Sequence, residues 1–157
     1  MIAAYTGARI EEICSLKCAN IYIKRKCLNI TDAKTTAGIR TVPIHSKLQE
    51  RLAKLIDSST DEYLIAGLTF NKYGDRSNAI GKRFGRMKTK LGFSALQVFH
   101  SIRKTLTTKL ENSGVPENIA ADIIGHDKPT MTYGLYSGGA TLEVKRQAIE
   151  KISYNFN

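Results

Sequence analysis

The chain has 157 residues, 42% of them hydrophobic, a size and balance that suit one domain with a single buried core. Its 24 Lys and Arg outnumber 14 Asp and Glu for a formal net charge of +10, an excess that attracts polyanions such as nucleic acid or an anionic membrane face. No stretch approaches the roughly 18 uninterrupted apolar residues of a membrane span, and the opening MIAAYTGARIEE lacks the basic start and apolar run of a secretory leader, so a soluble, unexported chain is expected.

After the turn-forming Thr6-Gly7, ARIEEICSLKC sets Ile10, Ile13 and Leu16 three apart. Glu11 and Glu12 fall in the first turn, where the helix dipole favours acids, and a helix is predicted. Cys14 and Cys18, four apart on that helix, and Cys27 form no even disulfide set. No pair of histidines stands close by to complete a zinc tetrahedron, so they read as core thiols of a reducing cytoplasm and no metal is expected. ANIYIKRKCLNI then alternates β-formers around Lys24-Arg25-Lys26, and IRTVPI resumes after the flexible TTAG. Two or three short antiparallel strands fit, with Pro43 at a strand end or edge.

Ser46 is expected to cap a helix running through Leu48, Leu52, Leu55 and Ile56, followed by a polar loop around Asp57 to Asp61. The stretch RSNAIGKRFGRMKTKLG, residues 76 to 92, holds Arg76, Lys82, Arg83, Arg86, Lys88 and Lys90 and no acid. Read as a helix, it puts Ile80, Phe84, Met87 and Leu91 on one side and Lys82, Arg86 and Lys90 on the other. One side is expected to pack while the other meets phosphates. A further helix is predicted over 101 to 112, stopped by Gly114; Pro116 opens the next as a first-turn proline and Gly125 ends it. The last helix, TLEVKRQAIEKI, is short and amphipathic. The fold class is therefore α+β, mainly helical with a small antiparallel sheet.

Several residues suit an anion. His100 and Arg103 occur as FHSIR, three apart at a helix start, beside the free backbone amides of that terminus. Arg9 opens the earlier helix, with Glu12 three residues on to hold its guanidinium. GHDKPTMTYGLYSGG, residues 125 to 139, adds His126 and two tyrosines, Tyr133 and Tyr136.

The ordered set TGAR, a lysine in a turn before RTVPI, then HSIR, GH and a tyrosine resembles the tyrosine recombinase family, the phage integrase type of site-specific recombinase. The similarity runs from about Ile2 to Ile152. It implies a catalytic set of Arg9, Lys34, His100, Arg103, His126 and a tyrosine, with Glu12 in support. The family's tyrosine commonly comes nine residues after the second histidine; here that position is Leu135, with Tyr133 at seven and Tyr136 at ten. Tyr136 is expected to be the nucleophile, because YS followed by Gly-Gly and a final helix mirrors the family layout, and Tyr133 a packing ring.

The resemblance further implies an enzyme that breaks and rejoins DNA through a 3'-phosphotyrosyl link, with no metal, cofactor or ATP, in integration or excision of a phage or other mobile element. Its partners would be double-stranded attachment sites contacted by Arg76, Lys82, Arg83, Arg86 and Lys90, three further copies in a homo-tetramer on DNA, and DNA-bending accessory proteins. The setting would be a bacterial cytoplasm, at the nucleoid during recombination. A catalytically inactive DNA-binding regulator of the same fold is the alternative. Residues 1 to 157 are expected to form a single catalytic domain, a fragment without the family's amino-terminal DNA-binding domain, and the segment from Gly138 could dock onto a neighbouring protomer.

Overall fold

The structure is a computed structural model that describes residues 1–33, 35–128, 132 and 137–155. In chain order its elements are α1 (Ile2–Thr6), α2 (Ile10–Cys14), β1 (Ile21–Tyr22), β2 (Cys27–Ile30), β3 (Arg40–Pro43), α3 (Ser46–Asp57), α4 (Asn78–Lys90), α5 (His100–Asn112), α6 (Glu117–Ile124) and α7 (Leu142–Glu150). Gly7 separates the first two helices at φ 64°, where a side chain is strained, and a Cβ there would stand 2.9 Å from Ile124 Cγ2. This close approach brings the start of α2 against the end of α6.

Helix α2 is shorter than its periodicity predicts. Beyond Cys14 the chain pairs with a later segment: Leu64 N donates to Leu16 O at 2.8 Å and Cys18 N to Glu62 O at 2.9 Å. Those carbonyls and amides are spent across the chain, so the helical ladder stops. Cys18 starts a separate 3-10 turn and does not share a helix face with Cys14. Cys14 and Cys27 are buried, as core thiols should be, and burial pushes the Cys14 thiol up to about 11.

The three strands form an antiparallel sheet in the order β1-β2-β3, with Leu28 opposite Val42 and Ile30 opposite Arg40. Leu28, Ile30 and Val42 are buried, and α6 and α7 both pack on β3. Leu106 and Leu110 of α5 and Ile123 and Ile124 of α6 join the same core, so the α+β class and the mainly helical make-up are as expected. Pro43 closes β3.

Helix α3 is capped by His45, whose Nδ1 accepts from Lys47 N at 3.0 Å; Ser46, the expected cap, instead donates its hydroxyl and amide to Glu150 on α7. His45 is buried, with Nε2 3.0 Å from Ile152 O, so it ties the start of α3 to the chain after α7. Pro116 is the N-cap of α6 and lies one residue before its first helical position. The helical part of the C-terminal segment packs on its own chain: Ala148 and Ile149 are buried, and Lys145 Nζ donates to Thr41 O at 2.6 Å.

Helix α4 carries the basic stretch but buries none of its residues. Ile80 and Phe84 are half-buried, whereas Met87 is 51% and Leu91 64% exposed, so the apolar side packs only in part. Arg76, expected among the DNA-contacting residues, is buried at 3% exposure. Its guanidinium donates to Cys14 O at 3.0 Å and Ile65 O at 3.2 Å and stacks 3.4 Å from the centre of the Tyr63 ring. The carbonyl that ends α2 and a later loop carbonyl take this cation as their donor, which removes it from the surface. Arg76→Met should therefore lower unfolding free energy by roughly 2–4 kcal/mol, measured by denaturant melts, whereas Lys82→Ala on exposed α4 should change it by under about 0.5 kcal/mol.

Candidate active site

Arg9 is the N-cap of α2, in extended conformation. Its backbone N–H donates to Glu12 Oε2 at 2.9 Å and its Nη1 to Glu12 Oε1 at 2.6 Å, so the acid three residues on closes the helix start and holds the guanidinium together. Glu12 is 3% exposed in its side chain and Arg9 28%, which leaves the arginine the accessible partner. Burial alone would raise the Glu12 carboxyl, but the Arg40 charge and the hydrogen bonds from Arg9 more than offset it and hold it low.

Arg103 sits one turn into α5 at 2% exposure. Nη1 donates to Gly7 O at 2.6 Å and Nη2 to Gly125 O at 3.1 Å, which stations the guanidinium between the turn before Arg9 and the turn before His126. Its Nε is buried with no hydrogen-bond partner among the described residues. His100, at the first position of α5, is exposed. The helix amides expected to be free here are partly spent: Ser101 N and Ile102 N donate to Val98 O and Phe99 O.

Gly125 ends α6 at φ 75°, and His126 follows it at the surface. A cavity of about 380 Å³ is lined by Arg9, His100 and Arg103 together with Glu11, Asp75 and Phe99. Glu11 accepts from Ser15 Oγ, Arg76 N and Ser77 N. His126 and Arg40 line an adjoining polar cavity of about 590 Å³.

The cations repel one another across this space. Burial, then the charges of Arg9 and Arg40, push Arg103 down to about 10. Burial and the charges of Arg103, Lys104 and Arg9 lower His100; burial, Arg103, Arg9, His100 and Arg40 lower His126. Four of the expected residues, Arg9, His100, Arg103 and His126, thus stand within electrostatic reach of each other, and Glu12 holds the Arg9 guanidinium. Lys34, Tyr133 and Tyr136 lie outside the described residues. Lys82, Arg83, Arg86 and Lys90 are exposed on α4, while Lys88 Nζ donates to Ser94 O at 2.9 Å. Arg40, the first residue of RTVPI, is the one that sequence reasoning missed; an arginine opening a strand carries no local mark of its partners.

The model of the phage integrase family matches residues 1–141. The chain belongs to that family. This integrase-family chain is 27% identical, over 87% of its length, to a tyrosine recombinase XerC-like protein of Caldanaerobacter subterraneus, and 28% identical, over 94%, to the prophage integrase IntF of Escherichia coli. It spans 44% and 31% of those relatives' lengths. The integrase of mycobacterium phage Brujita superposes on it with a TM-score of 0.71 at 18% identity, over 97% of this chain and 49% of that one. The Tn1549 transposon integrase, solved in complex with circular intermediate DNA, does so with a TM-score of 0.64 at 23% identity, over 97% and 58%. Both likenesses establish the tyrosine recombinase catalytic-domain fold for this integrase-family chain.

An anion seated among the cations would offset the repulsion that lowers the two histidines. Free, His100 and His126 should titrate below the ordinary 6.5; with phosphate bound both should move up, so binding takes up protons and tightens as pH falls through that range. Histidine ring resonances followed by NMR with and without inorganic phosphate, assigned with His100→Gln and His126→Gln, check the sign.

Proposed function

We propose that this chain is the catalytic part of a site-specific DNA recombinase that cuts and rejoins DNA through a covalent phosphotyrosine. The observation that carries the reading is the placing of Arg9, His100 and Arg103 around one cavity with His126 within electrostatic reach of them, while Glu12, the carboxylate hydrogen-bonded to Arg9, is already shared between guanidiniums. Like charges brought together are unfavourable unless an anion joins them. A backbone phosphate is the anion that the family relationship and the DNA complex of the Tn1549 integrase make the best candidate.

In this reading the Tyr136 phenol oxygen attacks the scissile phosphorus, forming the P–O bond to protein as the bond to the 5' oxygen breaks. The phenol, with an ordinary pKa near 10, gives up its proton as it attacks, and His100 beside the phosphate assists that transfer. Lys34 hands a proton to the departing 5' oxygen. Negative charge builds on the non-bridging oxygens, where Arg9 and Arg103 present guanidinium N–H groups and His126 a further donor. Because the phosphodiester's free energy stays in the phosphotyrosine, the reverse attack by a 5' hydroxyl of another strand reseals the DNA. Double-stranded attachment sites are the substrate, and in the full-length protein a tetramer of copies aided by DNA-bending proteins would exchange strands to integrate or excise a mobile element.

Exposed α4 supplies the sequence-independent grip. Duplex binding should weaken with salt, and Lys82→Ala with Arg86→Ala should flatten the log–log salt slope by about 0.9 for each phosphate no longer neutralised, measured by fluorescence anisotropy. On a nicked suicide duplex, Tyr136→Phe should abolish the covalent adduct and Tyr133→Phe should retain it. Loss with Tyr133→Phe alone would move the nucleophile to Tyr133, and salt-sensitive binding with no adduct from the parent chain would leave the regulator reading standing.

A further inference from the structure

Arg40 opens β3 with its side chain 5% exposed. Its guanidinium bonds in three directions: Nε to Ile123 O at 2.9 Å, Nη1 to Gly38 O at 2.6 Å, and Nη2 to Glu12 Oε2 at 3.1 Å. Each acceptor belongs to a different part of the site. Ile123 lies near the end of α6, two residues before Gly125, and its carbonyl is one of the helix-end groups that lack an internal donor. Gly38 lies in the turn before β3. Glu12 is the acid that holds Arg9.

The geometry points to Arg40 as a positioning residue of the strand-transfer site, one that fixes where Arg9 and His126 stand relative to each other. The inference rests on the recombinase reading above and adds a residue to which that reading gives no part. The carboxylate of Glu12 is bridged by Arg9 on one side and Arg40 on the other, so a shift of Arg40 is felt by Arg9 one residue away. On the α6 side the fit is tight: a Cβ at Gly125 would lie 2.7 Å from Arg40 Nη1 and 2.9 Å from its Cδ. A flat fork reaches the three acceptors from three separate nitrogens, whereas an ammonium carries its three N–H groups on one nitrogen and cannot span acceptors set around the fork. Because these bonds go to protein, Arg40 acts through its neighbours and need not touch DNA.

The test is a cycle of Arg40→Lys, Glu12→Gln and the double variant, each checked by its thermal transition. Adduct formation on a nicked suicide duplex is measured in single turnover at saturating protein. Arg40→Lys should slow that step about 10- to 100-fold, since small misplacements cost rate steeply. Duplex affinity should stay within about threefold, because it is spread over many phosphates. The double variant should lose less than the product of the single losses, because both changes act on one carboxylate. A merely stabilising arginine would lower the thermal transition and leave the rate below it unchanged. Losses that multiply in full would mean that Arg40 grips DNA independently; either outcome overturns the proposal. Inorganic phosphate titrated against the His126 ring signal gives a readout without chemistry, and Arg40→Lys should weaken it at least about fivefold. If the parent chain traps no adduct the recombinase reading fails, and the phosphate titration still decides Arg40: weakened binding upholds it, unchanged binding overturns it.

Discussion

One carboxylate shared by two guanidiniums organises this molecule. Glu12, almost fully buried, takes Arg9 on one oxygen and Arg40 on the other, and Arg40 in turn reaches the end of α6. From there the chain of bonds closes on itself: Gly125 O accepts from Arg103, and Arg103 donates again to Gly7 O, two residues before Arg9. The N-terminal helices, the sheet, α5 and α6 all meet in this ring. Hydrogen bonds between charged and buried groups are the strong kind, and breaking one strands its partner in a dry interior. The ring therefore holds its members at set positions even though their charges repel.

Like charges also meet around this ring. Burial first, and then the neighbouring positive charges, Arg9 among them, make the protonated forms of Arg103, His100 and His126 less favourable. In the proposed reading an anion completes this group, and a ready-made field is worth more to a transition state with added negative charge than to a resting phosphate. Membership of the phage integrase family is in keeping with a DNA phosphate as that anion.

The arginines divide by what they do with their donors. Arg76 and Arg40 point theirs at backbone carbonyls and acids of the protein, and both are held inside the fold. Arg9 remains partly open beside the cavity, and Arg103 keeps an unpaired Nε among the described residues. Arg76 and Arg83 belong to one acid-free stretch of sequence, yet one is core and the other surface. Charge along a chain records how many cations exist; burial and partner geometry decide which of them can meet a ligand.

Much was legible in the residues alone. The resemblance to the family picked out Arg9, Glu12, His100, Arg103 and His126, while spacing and turn chemistry marked the helices of the second half, the short strands around Lys24 to Lys26 and the glycine that ends α6. These features are local, set by side-chain periodicity and backbone propensity within a few residues. What only the tertiary structure decided are the long-range pairings. The segment after Cys14 left its helix for residues 62 to 64, His45 took the cap from Ser46, Arg76 sank beneath Tyr63, and Arg40 found Glu12 and Ile123. Each depends on a buried polar group meeting a partner distant in sequence, where the demand for satisfied donors and acceptors outweighs local preference.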